Sequence, residues 1–253
     1  MPSPLFLHLP HASTEIPPEC RADFGVSDED LVGERLRLTD WFTDELFGEG
    51  WPAERTWRAS VSRLVVDVER FRDDAREPCA VVGMGAVYAR GTRGQVLRPV
   101  APARREVLLE TYYDPHHRRC AADAAAALAR FGGCVVLDAH SYPSASLPTE
   151  LPGALRPEIG IGTDPKHTPA ALRALAGDFF RARGFGVAVD QPYAGAFVPN
   201  GFFGVEPRVQ ALMVEVRRDL YMDEAAGAKH AGFGAAQAAL TDFRAALEAY
   251  AAA

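Results

Sequence analysis

Two histidines and a glutamate stand where an α/β chain collects its chemistry. His11 follows the short apolar run Leu5 to Leu9, His140 follows the run Cys134 to Leu137, and Glu215 lies within Ala211 to Val216. Each run reads as a strand, and ligands of α/β sheets gather at the carboxyl ends of strands. One histidine after a strand is ordinarily a hydrogen-bonded structural residue, and one glutamate in a strand is ordinarily the solvent-facing step of an alternation. Three such residues at three strand ends point instead to a shared site. The chemistry they could share is metal-assisted hydrolysis. A catalytic zinc takes three protein ligands, commonly neutral imidazoles and a carboxylate, and leaves a fourth position for water, whose pKa falls toward about 7. A neighbouring glutamate then takes the proton of the attacking water and hands it to the leaving amine. His11 and His140 are therefore the expected ligands of a single Zn2+ per chain, with Glu215 as general base.

These residues need elements to hold them. Ser27 and Asp30 form a capping-box pattern that opens a first helix after a loop over residues 12–26, and Thr39 is positioned to cap a second, Asp40 to Phe47. Ser62 to Val68 reads as a strand, and Val87 to Leu97, centred on Arg90 to Gly94, as a hairpin over the active face. Arg104 to Arg130 reads as a helix interrupted near Pro115. Glu158 to Gly162 and Val187 to Val189 are further strands; a helix capped by Thr168 and opened by Pro169 runs to Arg183, and another covers Ala235 to Ala253. Strands and helices alternate without repeats or a composition break. The expectation is a single α/β domain over residues 1–253, with a mixed, mostly parallel sheet flanked by helices.

The bulk properties narrow the partners. The chain has 253 residues, 48% of them hydrophobic and 24% charged, with a formal net charge of -7. That balance suits an ordinary globule and lacks the basic face that nucleic acid requires. No run approaches the roughly 20 apolar residues of a membrane helix, and the amino-terminal residues lack a basic signal-peptide region. Four cysteines with no paired spacing read as reduced and space-filling, so a cytoplasmic enzyme is expected. An acidic enzyme that binds an anion needs local cations. On a strand, Arg63, Val65 and Asp67 would share one face with Arg70 opposite, making Arg63 a candidate for the carbonyl oxygen or for a substrate carboxylate. His8, His167 and His230 have no evident role, and His116 is expected to face solvent. Asn200 to Gly204 reads as a mobile loop over the site.

Several segments, in order from about Leu7 to Glu224, resemble N-formylglutamate amidohydrolases: His11 to Ser13, Ser62 to Arg70, Asp114 to His117, Leu137 to Ser141, and Glu215 with Tyr221 and Met222. That family is in turn similar to zinc carboxypeptidases and aspartoacylases, which implies a zinc-carboxypeptidase-like (phosphorylase/hydrolase-like) fold. The resemblance implies Asp40 as the third zinc ligand. The carboxypeptidase pattern has a glutamate three residues after the first histidine, where this chain has Thr14, and Glu15 is the alternative ligand. It also implies that Arg70 holds a substrate carboxylate, although Glu69 replaces the usual asparagine. His117 matches a Pro-x-His helix start and is expected to contact substrate or orient an acid. Ser141 is expected to line the substrate site; Asp138 to Ser141 lacks the glycine-flanked elbow of a serine nucleophile. Asp138 is a candidate to fix a ligand histidine's tautomer.

The implied reaction is hydrolysis of a small anionic N-acyl amino acid, foremost N-formyl-L-glutamate to formate and L-glutamate, as in histidine degradation. Another N-acyl amino acid or a peptide end keeps the same machinery with a larger pocket. A ligand-binding protein that has lost its metal is the alternative of a different class.

Overall fold

The computed structural model describes residues 3–147 and 153–253. Its centre is a six-stranded sheet. The strands are β1 (Leu5–Leu9), β2 (Thr56–Arg58), β3 (Cys134–Tyr142), β4 (Ile159–Gly162), β5 (Val187–Val189) and β6 (Val209–Arg217), in the spatial order β2-β1-β3-β6-β4-β5. All neighbours are parallel except β4 and β6, which run antiparallel. The mixed, mostly parallel α/β sheet is thus the one expected. A short hairpin, β7 (Met222–Asp223) with β8 (Ala228–Lys229), stands apart from it.

Two-residue periodicity sorts the side chains onto two cores. One face presents Leu5, Leu7, Leu9, Val135, Leu137, Ala139, Leu212, Val214 and Val216. These pack on α3 (Thr43–Gly48), α6 (Ala170–Ala182) and α7 (Phe233–Ala251). The other face presents Phe6, Trp57, Cys134, Val136 and Ala211 to α5 (Asp114–Phe131). Every residue of β3 is buried, which explains its nearly continuous apolar reading. Among the described residues no helix is long and apolar enough to cross a membrane.

The first helices are α1 (Pro18–Arg21) and α2 (Asp28–Leu38). Ser27 caps α2 as expected, but without the reciprocal bond of a full box: its Oγ accepts from Asp30 N–H at 3.1 Å and donates to Asp30 Oδ2 at 2.7 Å. The next helix differs. Thr39 ends α2, and α3 starts only at Thr43 after Phe42, whose φ of 62° is left-handed. Asp40 is therefore outside any helix. Between α4 (Pro102–Leu108) and α5 the interruption is a single π turn, Leu109–Tyr113. Pro115, just inside α5, has no N–H for the preceding turn, so the helix widens there instead of breaking. The expected hairpin over residues 87–97 reduces to one antiparallel bridge, Arg90 with Val96. The segment Asn200 to Gly204 is a turn pinned by Gly204 N–H on His167 Nε2 at 2.8 Å, with Phe203 against Phe71.

Ser62 to Val68 is not a strand. The amides of Val65 and Val66 turn back onto the carbonyl of Ser62, and Asp67 N–H bonds to Ala86 O. The carbonyls of Leu64 and Val65 both accept from Arg98 Nη2, at 2.8 and 2.7 Å. An arginine thus meets the carbonyls that a neighbouring strand would have met. The apolar side chains also divide between two small cores, Val65, Val66 and Val68 in one and Leu64 in the other. The alternation resembles a strand but serves a coil with apolar neighbours on two sides.

Candidate active site

Register places the first functional pair. His140 on β3 lies directly opposite Glu215 on β6, and His8 on β1 opposite Asp138 on β3. All four project to the α5 face at the carboxyl end of the parallel strands. His11 follows two residues after β1, and its carbonyl accepts the amide of Asp40 at 3.0 Å, which brings Asp40 into the same place.

Each histidine is held between carboxylates. His11 Nε2 lies 2.8 Å from Asp67 Oδ1, and His140 Nε2 lies 3.0 Å from Asp138 Oδ1. A carboxylate accepts, so each Nε2 donates to its aspartate, and His140 meets a second carboxylate through Nδ1. Asp40 faces the Nδ1 edges of both rings: Oδ2 is 2.9 Å from His140 Nδ1 and 3.6 Å from His11 Nδ1. His11 Nδ1 is buried without a hydrogen-bond partner. Glu69 approaches from the other edge, 3.1 Å from His140 Nε2 and 3.5 Å from His11 Nε2. Ligand atoms of His11, Glu69 and His140 lie within 4.8 Å of one another, a grouping able to hold a metal ion. Glu15 is exposed to solvent, whereas Asp40 is buried between the histidines.

The electrostatics fit a cation site. Burial works to lower the pKa of both histidines, yet both are raised by surrounding carboxylates: Glu69, Asp138 and Asp40 at His140, Asp67 and Asp40 at His11. Burial works to raise Asp40, but the two histidines hold it well below the usual carboxylate range. The pocket thus attracts positive charge, whether as protons or as a metal ion. Glu215 behaves oppositely. Burial, reinforced by the charges of Asp40 and Glu69 and opposed by His140 and Arg218, pushes its carboxyl up to about 8. Its Oε2 is buried without a partner. Gly160, paired with Glu215 across the sheet, keeps the neighbourhood tight: a Cβ there would meet Gln191 O at 2.9 Å and Glu215 Cβ at 3.2 Å.

The arginines converge where a strand would have separated them. Arg63 forks onto Asp67 Oδ2 through Nε at 3.1 Å and Nη2 at 2.8 Å, and Tyr88 OH donates to the same oxygen at 2.8 Å. Arg70 Nε stands 3.6 Å from that oxygen and lacks a hydrogen-bond partner. The expected opposition of Arg63 and Arg70 is therefore replaced by a shared partner, because the segment coils.

Several contributors were not legible as such. Arg218 is buried and binds Asp40 Oδ1 at 3.2 Å, Ser141 Oγ at 3.3 Å and Arg37 O at 2.7 Å. Its neighbour Arg217 points outward to Asp219, so adjacency alone does not separate them. His8, without an evident role in the sequence, lies 2.7 Å from Asp138 Oδ1, and His116 turns inward to His8 Nε2 at 3.1 Å instead of facing solvent. The alternation of β1 puts His8 on the Phe6 face, a signal that it would be buried. Ser141 Oγ accepts from Arg218, and His117 Nε2 donates to Val68 O at 2.7 Å, so both face protein partners.

An α/β sheet that brings paired histidines, carboxylates and a glutamate of raised pKa to the carboxyl ends of parallel strands has the layout of a hydrolase. Residues 3–222 match the model of the N-formylglutamate amidohydrolase family, and the chain belongs to that family. It is 30% identical over 233 residues to an N-formylglutamate deformylase of Pseudomonas aeruginosa, covering 88% of this chain and 84% of that protein. Its fold is similar to the crystal structure of an N-formylglutamate amidohydrolase from Ralstonia eutropha JMP134, with a TM-score of 0.80, 23% identity, and 98% and 94% of the two chains covered. A gene product of Agrobacterium tumefaciens shares the fold at a TM-score of 0.64 and 21% identity, over 97% and 92% of the chains.

Proposed function

We propose that the protein hydrolyses the amide bond of a small anionic N-acyl amino acid, with N-formyl-L-glutamate as substrate and formate and L-glutamate as products, at a site for a single zinc ion. The observation that carries this reading is the facing of His11 Nδ1, His140 Nδ1 and Asp40 Oδ2 beside the unpartnered Glu215 Oε2. Two imidazoles and a carboxylate make the donor set of a catalytic zinc, and His11, Asp40 and His140 are its ligands in this reading. Asp67 and Asp138 set the tautomers from behind. Glu69, facing the Nε2 atoms of both histidines, borders the site. A zinc ion held there supplies Lewis acidity toward the acyl oxygen and water, and favours the ionised form of Glu215.

The remaining roles follow from which groups are free. Glu215 takes a proton from the attacking water and delivers it to the amide nitrogen, which leaves as the amine. Arg63 has committed Nε and Nη2 to Asp67, and its Nη1, held only by Leu38 O at 3.5 Å, is the donor that turns to the oxygen on which charge develops. Arg70, about 30% exposed and bound to its acids only at 3.6 and 3.7 Å, is the arginine with capacity for a substrate carboxylate. Ser141 acts through Arg218. The four unpaired cysteines are in keeping with a reducing cytoplasm.

Turnover of N-formyl-, N-acetyl- and N-succinyl-L-glutamate by the zinc-supplied protein tests this assignment. N-acetyl-L-glutamate is expected to fall at least about tenfold below the formyl substrate in kcat/KM, the usual discrimination of one added carbon in a fitted pocket. A preference for acetyl or succinyl would make the enzyme an amidohydrolase of another N-acyl amino acid. Binding without turnover of any of them would make it a ligand-binding protein.

A further inference from the structure

The segment that carries Glu69 and Arg70 belongs to no helix or strand, so no neighbouring strand fixes its height. Its amides are held by Asp67 and Glu77, at Glu69 N–H and Phe71 N–H, and its carbonyls by two side chains of the helix beneath. Tyr113, the last residue of the π turn, donates its hydroxyl to Arg70 O at 2.9 Å. His117, one turn further, donates Nε2–H to Val68 O at 2.7 Å. These carbonyls flank Glu69 on either side. Residues four apart on a helix share a face, and here the two rings stack with centroids 4.1 Å apart. The Tyr113 hydroxyl also meets the backbone of Arg72 and the side chain of Asn200; burial, working against both, pushes it up to about 12. It therefore remains a proton donor at any working pH.

The π turn has a reason in this arrangement. An extra residue in the turn shifts Tyr113 relative to a regular helix, and such bulges commonly serve to aim a side chain. His117 pays a cost for its place, since its Nδ1 is buried without a partner. A leucine would fill the same space without that unmet lone pair.

We propose that Tyr113 and His117 are positioning residues that clamp the carbonyls of Val68 and Arg70 and so set the reach of the Arg70 guanidinium toward the substrate carboxylate. The inference rests on the reading of Arg70 as the carboxylate-binding residue. The acids beside Arg70 hold it only at 3.6 and 3.7 Å, and affinity for a carboxylate depends on holding its fork in register. The clamp therefore affects substrate binding and leaves the proton transfers at Glu215 untouched.

Steady-state kinetics with N-formyl-L-glutamate test it, using Tyr113→Phe, His117→Leu, His117→Gln and Arg70→Ala. Tyr113→Phe deletes only the hydroxyl and is expected to raise KM about five- to tenfold, the effect of one lost hydrogen bond, with kcat within about twofold. His117→Leu is expected to do the same, and His117→Gln, which still offers an N–H, to recover most of the loss. In the Arg70→Ala background, Tyr113→Phe is expected to add nothing further, an outcome that general destabilisation would not produce. If Arg70→Ala raises KM and Tyr113→Phe does not, the clamp is refuted while the role of Arg70 stands. If Arg70→Ala leaves KM unchanged, the role of Arg70 and the clamp fall together.

Discussion

Glu215→Gln is expected to keep its fold and bound metal and to lose kcat by about 10²–10⁴-fold, the range associated with a positioned general acid–base. The amide is close to isosteric with the carboxyl, which matters because Gly160 lies close against the Cβ of this side chain. What disappears is the capacity to take a proton from water and return it to the leaving nitrogen. The buried, unpartnered Oε2 serves no structural hydrogen bond, so stability should change little or rise slightly. The carboxyl is pushed up to about 8 by burial, with Asp40 and Glu69 adding to the effect. It is thus poised near neutrality, where a general base works best. Turnover by Glu215→Gln within a few-fold of the parent enzyme would remove it from the reaction.

Asp67→Asn is expected to have the largest effect on the scaffold. Asp67 is fully buried and receives Arg63, Tyr88 and His11, together with the amide of Glu69 at 3.1 Å. Asparagine keeps the shape but not the charge, leaving Arg63 without its direct ion-pair partner. Breaking a buried pair from one side costs about 3–5 kcal/mol, which for a domain of this size lowers Tm by roughly 10 °C. The same change removes the carboxylate that fixes the His11 tautomer, so metal affinity should fall about 10–100-fold. Thermal unfolding and zinc titration of one preparation read both effects. A variant with parental Tm and affinity would show that Asp67 is not the hub of the site.

The sequence displays the sheet better than the site. β3 and β6 are visible because their apolar runs are long enough to be buried on both faces, and His140 and Glu215 are noticed because they interrupt those runs. That His140 and Glu215 are opposed is a matter of register between strands far apart in sequence, which local pattern does not encode. Ser62 to Val68 misleads for a physical reason: a valine-rich run satisfies a strand template, but Arg98 takes the carbonyls and the coil folds Arg63, Asp67 and Arg70 together. Asp40 has the look of a helix's first-turn acid, and only the left-handed Phe42 delays that helix and leaves Asp40 free for the histidines. Arg218 and His8 escape notice because burial of a polar residue depends on its distant partners, Asp40 for one and Asp138 for the other.

In the proposed reaction the formyl amide is hydrolysed with a zinc ion held by His11, Asp40 and His140. Formate release from N-formyl-L-glutamate by chelator-treated protein, followed as zinc is added back, tests it most directly. The expected course is negligible formate without metal, a linear rise, and saturation near about one zinc per chain, with Asp40→Ala failing to reach that plateau at the same zinc concentrations. Undiminished formate release from the chelated protein would contradict it.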